Sequence, residues 1–190
     1  MTIQPGTLPC PLYIYIGATF NPVLTWTDSQ VYFTGSLAAS IGTLNVSSVT
    51  TGMLQIGQIL FGPNIPSETE ITSLVTGLGN VGSYGTSYTG TTITANALSA
   101  GFPVNLTGYT AALQIRPYAS SDVVIADLTT ENGGIIIADP TNGMIQLFLS
   151  PSQTALLIPQ EAIFDLQLTI GEEVDYLIQG QIFIQQMVTQ

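Results

Sequence analysis

The residues able to do acid–base or metal chemistry are few. The 190-residue chain has twelve Asp and Glu, one basic residue (Arg116), one cysteine (Cys10) and no histidine. Without histidine, neither a Ser–His–Asp nor a Cys–His nucleophile can be assembled, and zinc lacks its usual imidazole ligands. Cys10, set between Pro9 and Pro11, can form no internal disulfide and no tetrahedral thiolate site, and reads as a passive small residue. Two-carboxylate glycoside hydrolysis needs only Asp and Glu, but here the acids are scattered. The tightest group, Glu172, Glu173 and Asp175, has the spacing of a solvated hairpin tip and lacks the alternating oxygen ligands of a calcium loop. Glu68 and Glu70 read the same way. The glycine-rich run 77–82 lies between expected strands and has no lysine, so it is no phosphate loop. The expectation is a protein that is not an enzyme and has no catalytic, cofactor-binding or metal site.

Charge and composition narrow the partners. Charged residues make up 7% of the chain and the net charge is −11, whereas about 25% charged residues is typical of soluble domains. Nucleic-acid binding neutralises phosphates with several Lys and Arg, and attraction to anionic membranes needs the same residues, so neither is expected. No apolar run is long enough to span a bilayer, and residues 1–17 lack the basic start of a secretory signal. Yet 45% of the chain is hydrophobic, so it is not disordered in character. A surface this poor in ions associates readily, and contact with copies of itself or with other proteins is expected. Five residues stand out. Arg116 should make a charge-assisted bond to a carboxylate or to turn carbonyls, within the fold or across a subunit boundary. Trp26 is either a core anchor between two sheets or an interface hot spot. Leu60, Phe61 and Leu78 are either the small core of a central module or a contact patch.

These residues must be positioned by strands. Runs rich in β-formers recur at 13–16, 19–27, 43–49, 58–61, 70–75, 91–95, 123–128, 135–137, 144–149, 162–170 and 175–184, separated by turn signals such as Asn142-Gly143. Residues 104–116 read as a turn and then a strand with Tyr109, Ala111, Leu113 and Ile115 on one face. The one helix expected is 150–158, with Ser150 and Gln153 as a capping box and Pro159 as its stop. The fold class is all-β: an antiparallel, immunoglobulin-like β-sandwich. Residues 35–97 differ in texture, dense in Gly, Thr and Ser, and read as a small inserted β module. The host sandwich is then 1–34 plus 98–190.

The segments PVNLTGYTAALQIRPY (103–118), ADLTTENGGIIIAD (126–139), NGMIQLFLSPSQTALL (142–157), IFDLQLTI (163–170) and VDYLIQGQIFI (174–184) resemble, in order, a family of short phage structural proteins related to the N-terminal domains of baseplate upper proteins. TWTDSQ (25–30) resembles the strand that in that family leads almost directly into the LTG motif; here some 70 residues intervene. Part of that insert, IGQILFGPNIPSETEITSLVTGLGNVGSY (56–84), resembles a Gly/Thr-rich module of phage tail, fibre and head-fibre proteins. The departure leaves the host's usual surface loop covered or replaced.

The resemblance implies a virion protein, assembled in the host cytoplasm, whose partners are other virion structural proteins and copies of itself in a symmetric array. The reading is a tail or baseplate adaptor or fibre-anchoring component. Its alternatives are a capsid decoration (cement) or head-fibre protein, and a module that recognises a host-surface receptor or glycan through the insert. Residues 1–12, with three prolines, are expected to form an arm reaching a neighbour.

Overall fold

The computed structural model describes residues 2–3, 6–7, 11–38, 42–66 and 68–188, with backbone alone for 2–3, 6–7 and Ser29. Cys10 and five other residues of the expected arm 1–12 lie outside the described residues; Thr2–Ile3, Gly6–Thr7 and Leu12 pair with strands of the chain itself. In chain order the strands are β1 (Thr2–Ile3), β2 (Gly6–Thr7), β3 (Leu12–Tyr15), β4 (Val23–Ala38), β5 (Thr43–Thr51), β6 (Ile59–Phe61), β7 (Ile71–Leu74), β8 (Gly82–Thr86) and β9 (Ile93–Pro103). There follow β10 (Thr110–Arg116), β11 (Ala126–Thr129), β12 (Ile135–Asp139), β13 (Met144–Leu147), β14 (Gln160–Ile170) and β15 (Glu173–Gln185), with one helical turn, α1 (Pro151–Thr154), before β14. The protein is all-β, built from antiparallel sheets packed together.

Two compact units form: Met1–Trp26 with Asn105–Gln190, and Thr27–Val104. The boundaries therefore fall outside those expected at 34/35 and 97/98. The reason is β4, which continues without a break. Its residues from Thr27 to Thr34 pair with β9, from Thr27↔Pro103 to Thr34↔Ala97, and so belong to the sheet of the module.

In the first unit one sheet runs β11-β10-β14-β15, with β2 and β3 on the outer side of β15. Alternation decides its faces. On β10, Ala111, Leu113 and Ile115 are buried while Ala112, Gln114 and Arg116 turn the other way; on β14, Ala162, Phe164, Leu166 and Leu168 are buried. The other sheet runs β12-β13-β4 with β1 beside β4, and supplies Ile135, Ile145, Leu147 and Leu24 to the core. The N-terminal strands break the antiparallel rule. β3 pairs in parallel with β15, Leu12↔Ile182 to Tyr15↔Gln185, and β1 in parallel with β4. Strands this distant in sequence are not bound to hairpin geometry.

The helix expected over 150–158 is shorter. The capping box forms, with the Ser150 side chain accepting from the Gln153 N–H and the Gln153 side chain from that of Ser150. Regular helix nevertheless ends at Thr154, and Leu156 and Ile158 are exposed. Thr154 is the buried residue of that turn, so nothing packs a longer apolar face. The strand expected at 123–128 starts late, at Ala126, with Val123 and Val124 exposed.

The second unit is a sheet in the order β6-β9-β4-β5-β8-β7. An isolated bridge, Ile59↔Glu70, joins its first and last strands. Around that bridge Gly57 N–H donates to the Ile71 carbonyl, Ile71 N–H to that of Gln58, each at 2.9 Å, and Leu60 N–H to that of Thr69 at 2.7 Å. The sheet thus closes on itself as a small barrel, and closure removes free strand edges. Val31, Phe33, Leu37, Leu44, Leu60 and Tyr84 are among the side chains that fill it.

Candidate interaction surface

The structure sorts the five residues singled out in the sequence. Leu60 is buried in the barrel core and Phe61 half-buried beside it, whereas Leu78 is 82% exposed. The three do not form one patch: Leu60 is buried within β6, as its neighbour Ile59 is, and Leu78 sits on a loop. Trp26 is half-buried and is not among the fully buried core side chains. Its indole meets the ring of Tyr109 edge-on, centroids 6.5 Å apart, and its backbone N–H donates to the Gly143 carbonyl. The inward residues there are Leu24 and Thr27, both fully buried.

Arg116 makes its bonds inside the fold. Nη1 donates to the carbonyl of Ser121, and Nε and Nη2 donate to Oε1 of Gln114 at 3.2 and 2.8 Å. Gln114 in turn donates to Asp127 Oδ1 at 3.1 Å. The carboxylate is thus reached through an amide, and the turn 117–121 is held by the guanidinium.

Exposed apolar residues occur in both units, among them Tyr118, Val123, Leu156, Ile158 and Tyr176 in the first, and five stand on two loops of the barrel. Met53 and Ile56 stand on the β5–β6 loop; Val75, Leu78 and Val81 stand on the β7–β8 loop; all are more than half exposed. A backbone hydrogen bond ties the loops together, from Leu54 N–H to the Gly79 carbonyl at 2.9 Å. Within the first loop, the buried side chain of Gln58 accepts from the Gln55 N–H at 2.9 Å and donates to the Met53 carbonyl at 3.4 Å. Within the second, the Ser83 carbonyl accepts from the N–H groups of Val75, Thr76 and Gly77. Thr76 Oγ1 accepts from Ser83 N–H, and the buried Tyr84 hydroxyl donates to the Asn80 carbonyl. Burial pushes the Tyr84 phenol above its ordinary value, against the opposing backbone hydrogen bond at Gly79. Gly82 fits because it has no side chain: a Cβ there would lie 2.4 Å from Gly77 Cα at a φ of +147°. Of these residues only Leu78 stood out in the sequence. The available signal was the placement of Met53, Ile56, Val75 and Val81 inside glycine-flanked turns, where polar residues are the norm.

Charge is distributed unevenly. Residues 27–104 carry Asp28, Glu68 and Glu70 alone; the other nine carboxylates and Arg116 lie in the first unit. Glu172 and Glu173 are exposed beside the β14–β15 turn, and among the described residues no group of three possible ligands gathers to hold a metal ion. Two carboxylates are held below their ordinary values: half-buried Asp139 chiefly by the Asn142 side chain and then the Thr141 hydroxyl, exposed Glu131 chiefly by a backbone hydrogen bond and then by the hydroxyls of Thr129 and Thr130. These are turn clamps. Among the described residues no helix is long and apolar enough to cross a membrane. Comparison with protein-family models and with curated proteins gives no match.

Proposed function

We propose that this chain is a non-enzymatic structural component of a bacteriophage particle, a tail or baseplate adaptor or fibre-anchoring protein. It works by packing against other virion proteins and copies of itself. The observation that carries the reading is the cluster of exposed apolar side chains on hydrogen-bonded, charge-free loops, in a chain that has one basic residue and no histidine. Ligand chemistry has little to work with there, whereas apolar surface held rigid supports protein association, because little conformational freedom is lost on contact. The resemblance of the segments within 103–184 to phage baseplate-type proteins supports the same reading. The first unit serves as the docking sandwich and the barrel as the module it carries.

The test is fractionation of purified particles. The chain is expected at fixed copy number in isolated tails. Its presence in tail-less heads, with none in tails, would replace the adaptor reading with capsid decoration. Absence from both, or substrate turnover that disappears on carboxylate substitution, would end the structural reading.

A further inference from the structure

We infer that Asn132-Gly133, in the turn between β11 and β12, is a self-modifying site: the fold promotes loss of ammonia from Asn132 and its conversion to aspartate and isoaspartate. This is a property of the turn alone and holds whatever the chain assembles with.

The chemistry is a ring closure. The Gly133 nitrogen gives its proton to solvent base and attacks Asn132 Cγ. The N–Cγ bond forms, the Cγ–Nδ2 bond breaks, and Nδ2 takes a proton from water and leaves as ammonia. Water then opens the succinimide. Attack at Cγ gives aspartate; attack at the backbone carbonyl gives isoaspartate, in which the chain runs on through Cγ. Water is the one co-reactant.

Three features of the turn favour closure at Asn132. First, its Oδ1 sits between two backbone donors, accepting from Thr129 N–H at 2.9 Å and Gly134 N–H at 2.8 Å, while Nδ2 donates to the Asp127 carbonyl at 2.9 Å. The pattern fixes the orientation of the amide, because a reversed one would set its NH2 against two N–H groups. As the ring closes, negative charge develops on Oδ1, and donors at these distances form an oxyanion hole for it. Hydrogen bonds that strengthen as charge grows lower the barrier. Gly134 comes this close because it has no side chain: a Cβ there would lie 2.8 Å from Oδ1 and from Leu128.

Second, the nucleophile is free. Gly133 N–H has no hydrogen-bond partner among the described residues, and no atom lies within 4 Å of where a Gly133 Cβ would stand. The chain itself holds this nitrogen next to Cγ, so the attack is intramolecular. Third, Asn132 and Gly133 are both exposed, so water enters and ammonia leaves.

Asn142-Gly143 is the same residue pair in opposite surroundings. Among the described residues no donor reaches Asn142 Oδ1; its Nδ2 donates to Asp139 Oδ2 at 2.8 Å. Gly143 is buried. Its N–H donates to the Pro140 carbonyl at 3.4 Å, and its own carbonyl accepts from Trp26 N–H. Asn142 is therefore expected to persist. Conversion at Asn132 replaces the donor to the Asp127 carbonyl by a carboxylate oxygen, and isoaspartate adds a backbone atom. Both changes fall in the turn that links a terminal strand of one sheet to a terminal strand of the other.

Purified full chain held at neutral pH and physiological temperature, then digested with pepsin in mild acid and mapped by mass spectrometry, tests this. In the folded chain Asn132 should convert at least about tenfold faster than Asn142, a conservative figure for two oxyanion donors. In guanidinium chloride, where neither turn survives, the two rates should become similar and that of Asn132 should fall. Gly133→Ala, whose added carbon hinders ring closure, should slow Asn132 severalfold and leave Asn142 unchanged, with near-ultraviolet circular dichroism confirming that the variant is folded. If it is not, the folded and unfolded wild-type time courses decide alone. Equal rates at the two asparagines in the folded chain would overturn the inference. So would an Asn132 that stays intact when folded and converts only when unfolded, which would show that its hydrogen bonds lock the amide instead of activating it.

Discussion

The hydroxyl of Thr154, fully buried in α1, donates to the carbonyl of Ala18 at 2.8 Å, across 136 residues of sequence. The same oxygen lies 3.1 Å from the Pro151 carbonyl. Next to this bond, Phe20 and Leu149 exchange backbone hydrogen bonds at 3.0 and 2.9 Å. Together these fasten the 16–22 segment to the chain just before α1. Thr154→Val keeps the shape and removes the donor, leaving the Ala18 carbonyl without it. A loss of about 1–3 kcal/mol is expected, read from urea unfolding with an unchanged m-value, and Thr154→Ser should restore most of it. A Val variant as stable as wild type would show that water serves that carbonyl equally well.

Thr27 presents the opposite case. Its Oγ1 is buried and has no hydrogen-bond partner among the described residues, lodged where the β4 and β9 backbones approach at Gly101. Replacing an unsatisfied hydroxyl by a methyl of the same shape removes a desolvation cost. Thr27→Val should be neutral or up to about 1 kcal/mol more stable. Chemical denaturation that showed a clear loss would mean the hydroxyl has a role that its surroundings do not reveal.

Gly82→Ala should damage the loop end of the barrel. The added carbon meets the backbone of Gly77 at 2.4 Å, where no side chain can swing aside, and a loss of about 2 kcal/mol or more is expected. Gly133 also has positive φ, +74°, but open space around it, so Gly133→Ala should cost only about 1 kcal/mol. Equal thermal shifts for the two variants would contradict the packing described at Gly77.

Asp139 gives a pH signature. Its carboxylate accepts from Asn142 Nδ2 at 2.8 Å, Thr141 Oγ1 at 2.7 Å and two backbone N–H groups, and its folded value lies below the ordinary 3.8. A lowered carboxylate value means that this stabilisation is complete above 3.8 and is lost as pH falls through the folded value. The thermal midpoint of wild type should exceed that of Asp139→Ala at pH 7, and the gap should narrow below pH 3.8. A gap constant down to strong acid would show that the turn does not depend on the ionised form.

Self-association should strengthen with salt. Two copies of net charge −11 repel, and ionic screening weakens that repulsion while leaving apolar contact intact. The association constant between copies, measured in sedimentation, should rise between low and physiological ionic strength. A fall would point to ion pairing at the contact.

Much of the architecture was legible before the structure. Period-2 alternation placed Ala111, Leu113 and Ile115 on one buried face, because a half-buried strand writes its two faces directly into residue order. The Ser150–Gln153 capping box was readable for the same reason: its partners lie within one turn of chain. Composition alone indicated a surface with few ions. Other features depended on contacts between distant residues. Parallel pairing of β3 with β15, the run of β4 past residue 34 into pairing with β9, and the Ile59↔Glu70 closure carry no local signature, because a backbone hydrogen bond is indifferent to side-chain identity. The fate of single apolar residues was decided there too. Leu60 and Leu78 are alike as side chains, but barrel closure buries the first, while the Ser83 and Tyr84 clamps hold the second outside. Residue order supplied the amount of apolar surface; only the three-dimensional pairing settled which part of it remained uncovered.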